Sequence, residues 1–95
     1  MEFTGYHWDE HNIRHLAWHD VKPSEFEEVM GNAPTFWSEE ERNGELRTRL
    51  IGHTNGLRVL FVVWTPRGTR IRPVSAFDPP RHVVDEYLED FYEKE

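Results

Sequence analysis

Hydrophobic positions along the chain change their period several times, and each change marks an element. Ile13, Leu16 and Ala17 follow the i, i+3, i+4 spacing of one helical face. His11, His15 and Trp18 fall on the opposite side, with His19 between the two faces. Asp9 stands just before this run and suits an N-cap, because its carboxylate accepts from the free amides of a first turn. The spacing predicts a helix from there to about Trp18 or His19. Residues 2–8 ahead of it read as a short first strand. Phe26, Val29 and Met30 form the apolar face of a second, short helix closed by Gly31-Asn32. It opens either with Lys22 as cap and Pro23 at the first position, or with a Ser24–Glu27 capping box.

The middle of the chain alternates with the period of strands. Asn43-Gly44 and Asn55-Gly56 each predict a two-residue hairpin turn with positive φ at both positions, and Pro66-Arg67-Gly68 predicts a looser one. These turns separate strands near 35–42, 45–54, 57–65 and 69–76. Leu57–Trp64 is the most apolar run and is expected in the centre of the sheet, buried on both faces. Pro73 cannot donate to a ladder, so the last strand is an edge there or carries a bulge. Asp78-Pro79-Pro80 introduces a closing helix with Val83, Val84, Tyr87, Leu88 and Phe91 on its core face, and Glu89–Glu95 reads as a fraying acidic tail. The order β-α-α-β-β-β-β-α predicts an α+β fold: an antiparallel meander with two N-terminal helices and one C-terminal helix. Ninety-five residues are expected to make a single domain over 1–95.

Composition narrows the function. The chain has no cysteine, so neither a disulfide framework nor a thiolate metal site is open to it, which fits a cytoplasmic protein. No apolar run approaches ~18 residues, so no membrane span is expected. A net charge of −7 argues against nucleic-acid binding by the whole surface. The charge is uneven, however. Carboxylates crowd into Glu25–Glu28, Glu39–Glu41 and Asp85–Glu95, while arginines crowd between Arg42 and Arg81. Alternation puts Arg47, Arg49, Ile51 and His53 on one face of their strand, and Arg70 and Arg72 on one face of theirs with Val74 and Ala76. Guanidiniums grouped on a sheet suit phosphate; the competing reading is that they pair with the many carboxylates.

Histidine supplies the candidate acid–base chemistry. His7, His11, His15 and His19 recur every four residues, but His7 falls before the helix, leaving three. Histidine is the side chain whose ordinary pKa lies nearest neutrality. His11/His15 and His15/His19 also have the spacing of metal-ligand pairs, yet no HExxH-type pattern accompanies them, and no metal or cofactor is expected. The competing structural role is packing against Trp8 and Trp18. Trp64 is expected in the core, and Trp37 either there or on a partner surface.

Two ordered series of residues resemble a known family. The first is His11-Asn12-Ile13, His15, His19-Asp20-Val21 and Pro23–Val29; the second is Arg47, Gly52-His53-Thr54, Gly56–Thr65, Arg67-Gly68, Arg70–Arg72 and Val74-Ser75-Ala76. Together they are similar to BrnT-type toxins of the RelE/ParE-like ribonuclease superfamily, over roughly residues 8–92. The resemblance implies a small endoribonuclease that cuts RNA without metal, by attack of a 2′-hydroxyl on the adjacent phosphate. It also implies a cognate antitoxin, a small DNA-binding protein of ribbon-helix-helix type. For such chemistry His15 and His19 are the candidate acid–base groups, and Arg47 and Arg72 the candidate phosphate clamps. Arg49, Arg70 and Arg81 are candidate RNA contacts. The family's strand usually continues Ile-Ser-Ala-Arg; here Phe77 stands in the place of that arginine, where a ring can stack on a base.

Overall fold

The computed structural model describes residues 3–93. Its elements are α1 (Glu10–Trp18), α2 (Pro23–Gly31), β1 (Thr35–Arg42), β2 (Glu45–His53), β3 (Val59–Arg67), β4 (Arg70–Phe77) and α3 (Arg81–Glu93). The strands form one antiparallel sheet in the order β1-β2-β3-β4. This is the expected α+β meander, with one element fewer at its start. The segment expected as a first strand makes only a single parallel bridge, Tyr6 to Ile71. Gly5, at φ 133°, breaks its extended run. Its backbone still bonds β4, through Thr4 N–H to Thr69 O (2.8 Å), His7 N–H to Ile71 O (2.8 Å) and Ile71 N–H to Gly5 O (2.9 Å). Residue 2 of that segment, and residues 94 and 95 of the acidic tail, lie outside the described residues.

Two apolar clusters sandwich the sheet. Leu16, Val21, Phe26 and Val29 of the α1–α2 layer pack on Leu60, Val62 and Ala76. On the other face Val83 of α3 packs on Ile51, Val59 and Phe61, with Phe77, Val84, Tyr87 and Leu88 around them. As expected, β3 is internal and its first four residues, Val59–Val62, are buried on both faces. Gly52 lets α2 sit close to β2: a Cβ there would lie 2.8 Å from Val29 Cγ1.

Local chemistry explains where the chain turns and where expectation fails. Asn43 and Gly44 both take positive φ (53° and 77°), as their hairpin requires. Asn55-Gly56 does not make the same turn. There the left-handed residue is Leu57 (φ 66°); Leu57 N–H bonds Thr54 O and Thr54 N–H bonds Arg58 O, so the loop is longer and β3 starts at Val59. Pro73 lies on the outer strand, and a register shift falls beside it: Val63 faces Ser75 while Trp64 faces Pro73. Val74 is therefore an extra residue, and alternation reverses across it. The expected grouping of Arg70, Arg72, Val74 and Ala76 on one face does not hold: Ala76 joins the cluster under α1 and α2, and Phe77 the one under α3. A second shift between Phe36 and Ser38 makes Trp37 the extra residue of β1. It turns the Trp37 ring onto Phe61, 4.8 Å away, leaving it partly exposed.

Helix α1 carries the candidate histidines, and two polar devices fix it. At its start Asp9 is the N-cap: its Oδ1 accepts from Asn12 N–H (3.0 Å), and Asn12 Oδ1 accepts from Asp9 N–H (2.9 Å). Asn12 is buried, and its Nδ2 donates to His7 O (2.9 Å) and to Pro73 O (3.1 Å) on β4. This amide turns the helix, so Asn12 and Leu16 form its inner face, while Ile13 and Ala17, expected inside, are exposed. Arg72 completes the device by donating to Asp9 Oδ2 at 2.7 Å. That hydrogen bond, then the Asn12 amide, hold the Asp9 carboxyl at a pKa of about 2.

At the other end of α1, Arg58 is a clamp. Its guanidinium donates to the carbonyls of Asp20 (2.7 Å) and His19 (3.3 Å), and to both oxygens of Asp78 (3.1 Å each). It also reaches Glu25 at 3.4 Å, whose Oε1 accepts from Lys22 N–H at the start of α2. That contact settles the opening of α2 in favour of Lys22 as cap. One planar cation thus joins the end of α1, the start of α2 and the β4–α3 junction.

Two outcomes follow from these devices. Arg58→Ala will destabilise the fold by roughly 1–3 kcal/mol in urea denaturation, and Arg58→Lys will recover little of it, because a point charge cannot serve so many acceptors. The Asp9 carboxyl is depressed in the folded state, so its contribution is complete above about pH 4, the ordinary carboxylate range, and fades as pH falls toward about 2. Thermal melts of the native chain and Asp9→Asn should therefore differ at pH 5 and converge at pH 2; a difference independent of pH would contradict the pairing with Arg72.

Candidate functional site

The α3 helix covers only part of its sheet face. Beyond it, alternation on β2 and pairing across β3 bring Arg47, Arg49, Val63, Ser75 and Phe77 to one surface. Cross-strand pairing sets Ser38 opposite Arg49 and Glu40 opposite Arg47. His15, half-buried on α1, closes the β4 side. The result is a half-open cavity of about 500 Å³, floored by Val63, Val74 and Phe77 and walled by charged groups.

Its cations differ in how they are engaged. Arg47 Nε bonds Glu45 Oε1 at 3.2 Å, and Arg42 meets Glu40 at 3.3 Å. Arg49 has no carboxylate partner among the described residues. Its guanidinium lies over the Phe61 and Phe77 rings, 5.2 and 5.3 Å from their centroids. Cation–π contact holds such a group in place and leaves its N–H donors free for an incoming anion.

Rings continue from the cavity along α1. His19 lies 5.9 Å from Phe77 and 5.9 Å from His15, and His15 lies 5.7 Å from Trp18. Of the residues singled out by sequence, the structure therefore gathers His15, His19, Arg47, Arg49 and Phe77. It sets three arginines apart. Arg72 is engaged with Asp9, Arg81 pairs with Asp85 at 3.1 Å on the outside of α3, and Arg70 is exposed beside the β3–β4 turn. Among the described residues no three His, Asp or Glu side chains gather closely enough to hold a metal ion. Among the described residues no helix is long and apolar enough to cross a membrane.

Sequence reasoning missed Ser38, Glu39, Glu40, Arg42 and Ser75 as cavity residues. The β1 members were within reach. The two-residue turn at Asn43-Gly44 fixes the register, and counting outward from it sets Glu40 against Arg47 and Ser38 against Arg49. Ser75 was hidden because its face depends on the bulge at Val74.

A cavity with histidine at its edge, free guanidinium donors on its wall and an aromatic floor can take a phosphodiester and the base beside it. Residues 8–81 match the family of ribonuclease toxins, BrnT, of type II toxin–antitoxin systems. No curated protein matches the chain. Because the family match spans α1, α2 and the whole sheet that builds this cavity, the chain belongs to the BrnT family of type II toxin–antitoxin ribonuclease toxins.

Proposed function

We propose that this protein is a single-domain cytoplasmic endoribonuclease toxin that cleaves RNA without metal and is neutralised by a cognate antitoxin of the DNA-binding ribbon-helix-helix type. The observation that carries this reading is the convergence of His15, Arg49 and Phe77 on one cavity. A ring nitrogen of His15 takes the proton of the 2′-hydroxyl. The 2′-oxygen attacks the adjacent phosphorus, and Arg49 and Arg47 donate to the non-bridging oxygens as charge builds there. His19, protonated, gives its proton to the departing 5′-oxygen. The products are a 2′,3′-cyclic phosphate and a 5′-hydroxyl. Phe77 stacks on a neighbouring base. Arg72 acts as a positioning residue, because it holds the N-cap of the helix that carries both histidines. Arg70 and Arg81 lie outside the cavity and take no part in the step.

A second reading is a protein-binding module on the same fold that has lost catalysis. Phe77 favours it, since a ring stands where the family resemblance expects an arginine, and Arg49 is already stacked on that ring.

Incubation of the purified protein with single-stranded RNA in EDTA separates the two. The toxin reading expects cyclic-phosphate ends, a loss in kcat of about 10²–10⁴ for His15→Ala and of about 10²–10³ for Arg49→Ala, with Arg70→Ala unchanged. Full activity of Arg49→Ala would remove the site assignment. Cleavage only with an added divalent ion would remove the metal-free mechanism. Intact RNA together with normal growth on induced expression supports the binding module.

A further inference from the structure

A second cleft, larger than the cationic cavity, lies apart from it and has the opposite character. It measures about 590 Å³ and opens between β1 and α3. Phe36, Trp37, Tyr87 and Phe91 give it an apolar lining, and Glu86 and Asp90 stand on the α3 side. Neither carboxylate meets a cation among the described residues.

The strand beside this cleft is unfinished. β1 is an outer strand, and all eight of its residues are exposed. The opposite outer strand, β4, has backbone partners in residues 4–7, whereas among the described residues β1 pairs only with β2. Its outward N–H and C=O groups are thus a template for one more strand. Phe36 and Trp37 remain 58% and 46% exposed, which is costly for such large rings unless something covers them. Next along the strand come Glu39, Glu40 and Glu41, of which only Glu40 meets an arginine among the described residues.

Charge selects the occupant. RNA is repelled by carboxylates on both sides of the cleft. A second copy of this chain pairing antiparallel along the whole of β1 sets Glu39–Glu41 of one copy over Ser38, Trp37 and Phe36 of the other, bringing three more carboxylates to an already acidic cleft and a second net charge of −7 beside the first. A basic segment has neither difficulty. Its backbone completes the β1 ladder, its apolar side chains enter the cleft over Trp37, its alternate cations meet Glu39 and Glu41 on the other sheet face, and Glu86 and Asp90 at the cleft rim attract its net positive charge.

We infer that a basic, alternately apolar segment of the cognate antitoxin adds as a fifth strand along β1 and fills the cleft between β1 and α3. This inference rests on the toxin–antitoxin reading for the identity of the partner. The same strand supplies Phe36 and Trp37 to this cleft and Ser38, Glu39, Glu40 and Arg42 to the cationic cavity. A segment following β1 from one to the other reaches the β1 rim of the cationic cavity, across from Arg47 and Arg49 on β2, so docking and inhibition share one path.

The probe is a short peptide alternating arginine with valine and threonine, titrated into the isotope-labelled full chain and followed by amide NMR shifts. The controls are its glutamate counterpart and an arginine peptide N-methylated at alternate residues, which cannot complete a ladder. The expected result is shifts confined to β1, His53 and the Glu86–Phe91 stretch, with roughly tenfold weaker binding to the Glu86→Lys/Asp90→Lys chain and no comparable shifts from either control. Trp37→Ala, as a second variant, should weaken binding while leaving the shifts of α1 and α2 in place. Equal binding of the N-methylated peptide, shifts centred elsewhere, or absence of binding would overturn the inference. RNA cleavage by the unbound chain is read separately in EDTA. Loss of cleavage with peptide binding intact removes the catalytic reading alone, and cleavage without binding removes the docking surface alone.

Discussion

The position of α1 depends on one buried amide. Asn12 is almost completely shielded from solvent, and all of its side-chain capacity in view is used: two donors to His7 and Pro73 carbonyls, one acceptor to the Asp9 amide. A buried polar group of this kind costs far more when unpaired than it contributes when paired, so it specifies geometry rather than merely adding stability. Here it specifies which way α1 faces. The consequence reaches the functional surface: with Asn12 and Leu16 inward, His15 stands at the cavity edge, His19 lies near Phe77, and Ile13 is turned outward.

The same amide shows where the sequence was legible and where it was not. Apolar spacing alone assigned Ile13, Leu16 and Ala17 to the core, and only Leu16 is there. An asparagine competing with an isoleucine for an inward position cannot be weighed without its partner, the Pro73 carbonyl 61 residues away. Local signals agree with the structure. Asp9 is the cap, Asn43-Gly44 is the turn, Gly31-Asn32 ends α2, and strand limits fall within two residues of expectation. Failures came where one residue alters the phase of many. The bulge at Val74 reverses alternation on β4, so Phe77 lies on the α3 side with Arg49. Pro73 predicted an edge or a bulge, and β4 has both, but proline does not say which neighbour becomes the extra residue. Arg72 was chosen for its charge and its strand, and the carboxylate that engages it belongs to the cap of another element.

Arginine serves two purposes in this chain. Arg58 joins three elements through carbonyls and carboxylates, and Arg72 secures a helix cap. Each carries the same donors as Arg49, and sequence shows no difference between them. The difference lies in what is nearby. Carboxylates turn Arg58 and Arg72 into structural ties, whereas Arg49 is held by the faces of two rings and keeps its donors open. Surroundings, not residue identity, separate an anion site from a clamp.

An acidic chain whose cationic cavity holds one arginine without a carboxylate partner among the described residues also has a constraint that a basic ribonuclease lacks. At a net charge of −7 the average surface repels RNA, and the screening length of about 8 Å at physiological ionic strength limits the reach of Arg49 and Arg47 to their own cavity. For the proposed RNA substrate, steering is then local and weak, and affinity rests on contacts made after arrival, which that proposal assigns to a phosphate on Arg49 and a base on Phe77. That same charge makes the outside of the molecule attractive to a basic protein over a wider area, from Glu39–Glu41 to the acidic flank of α3. The charge distribution thus favours a partner over a substrate in the encounter step. β1 borders both clefts, so under the function proposed above a basic segment seated along it and an RNA in the cationic cavity compete for the same strand.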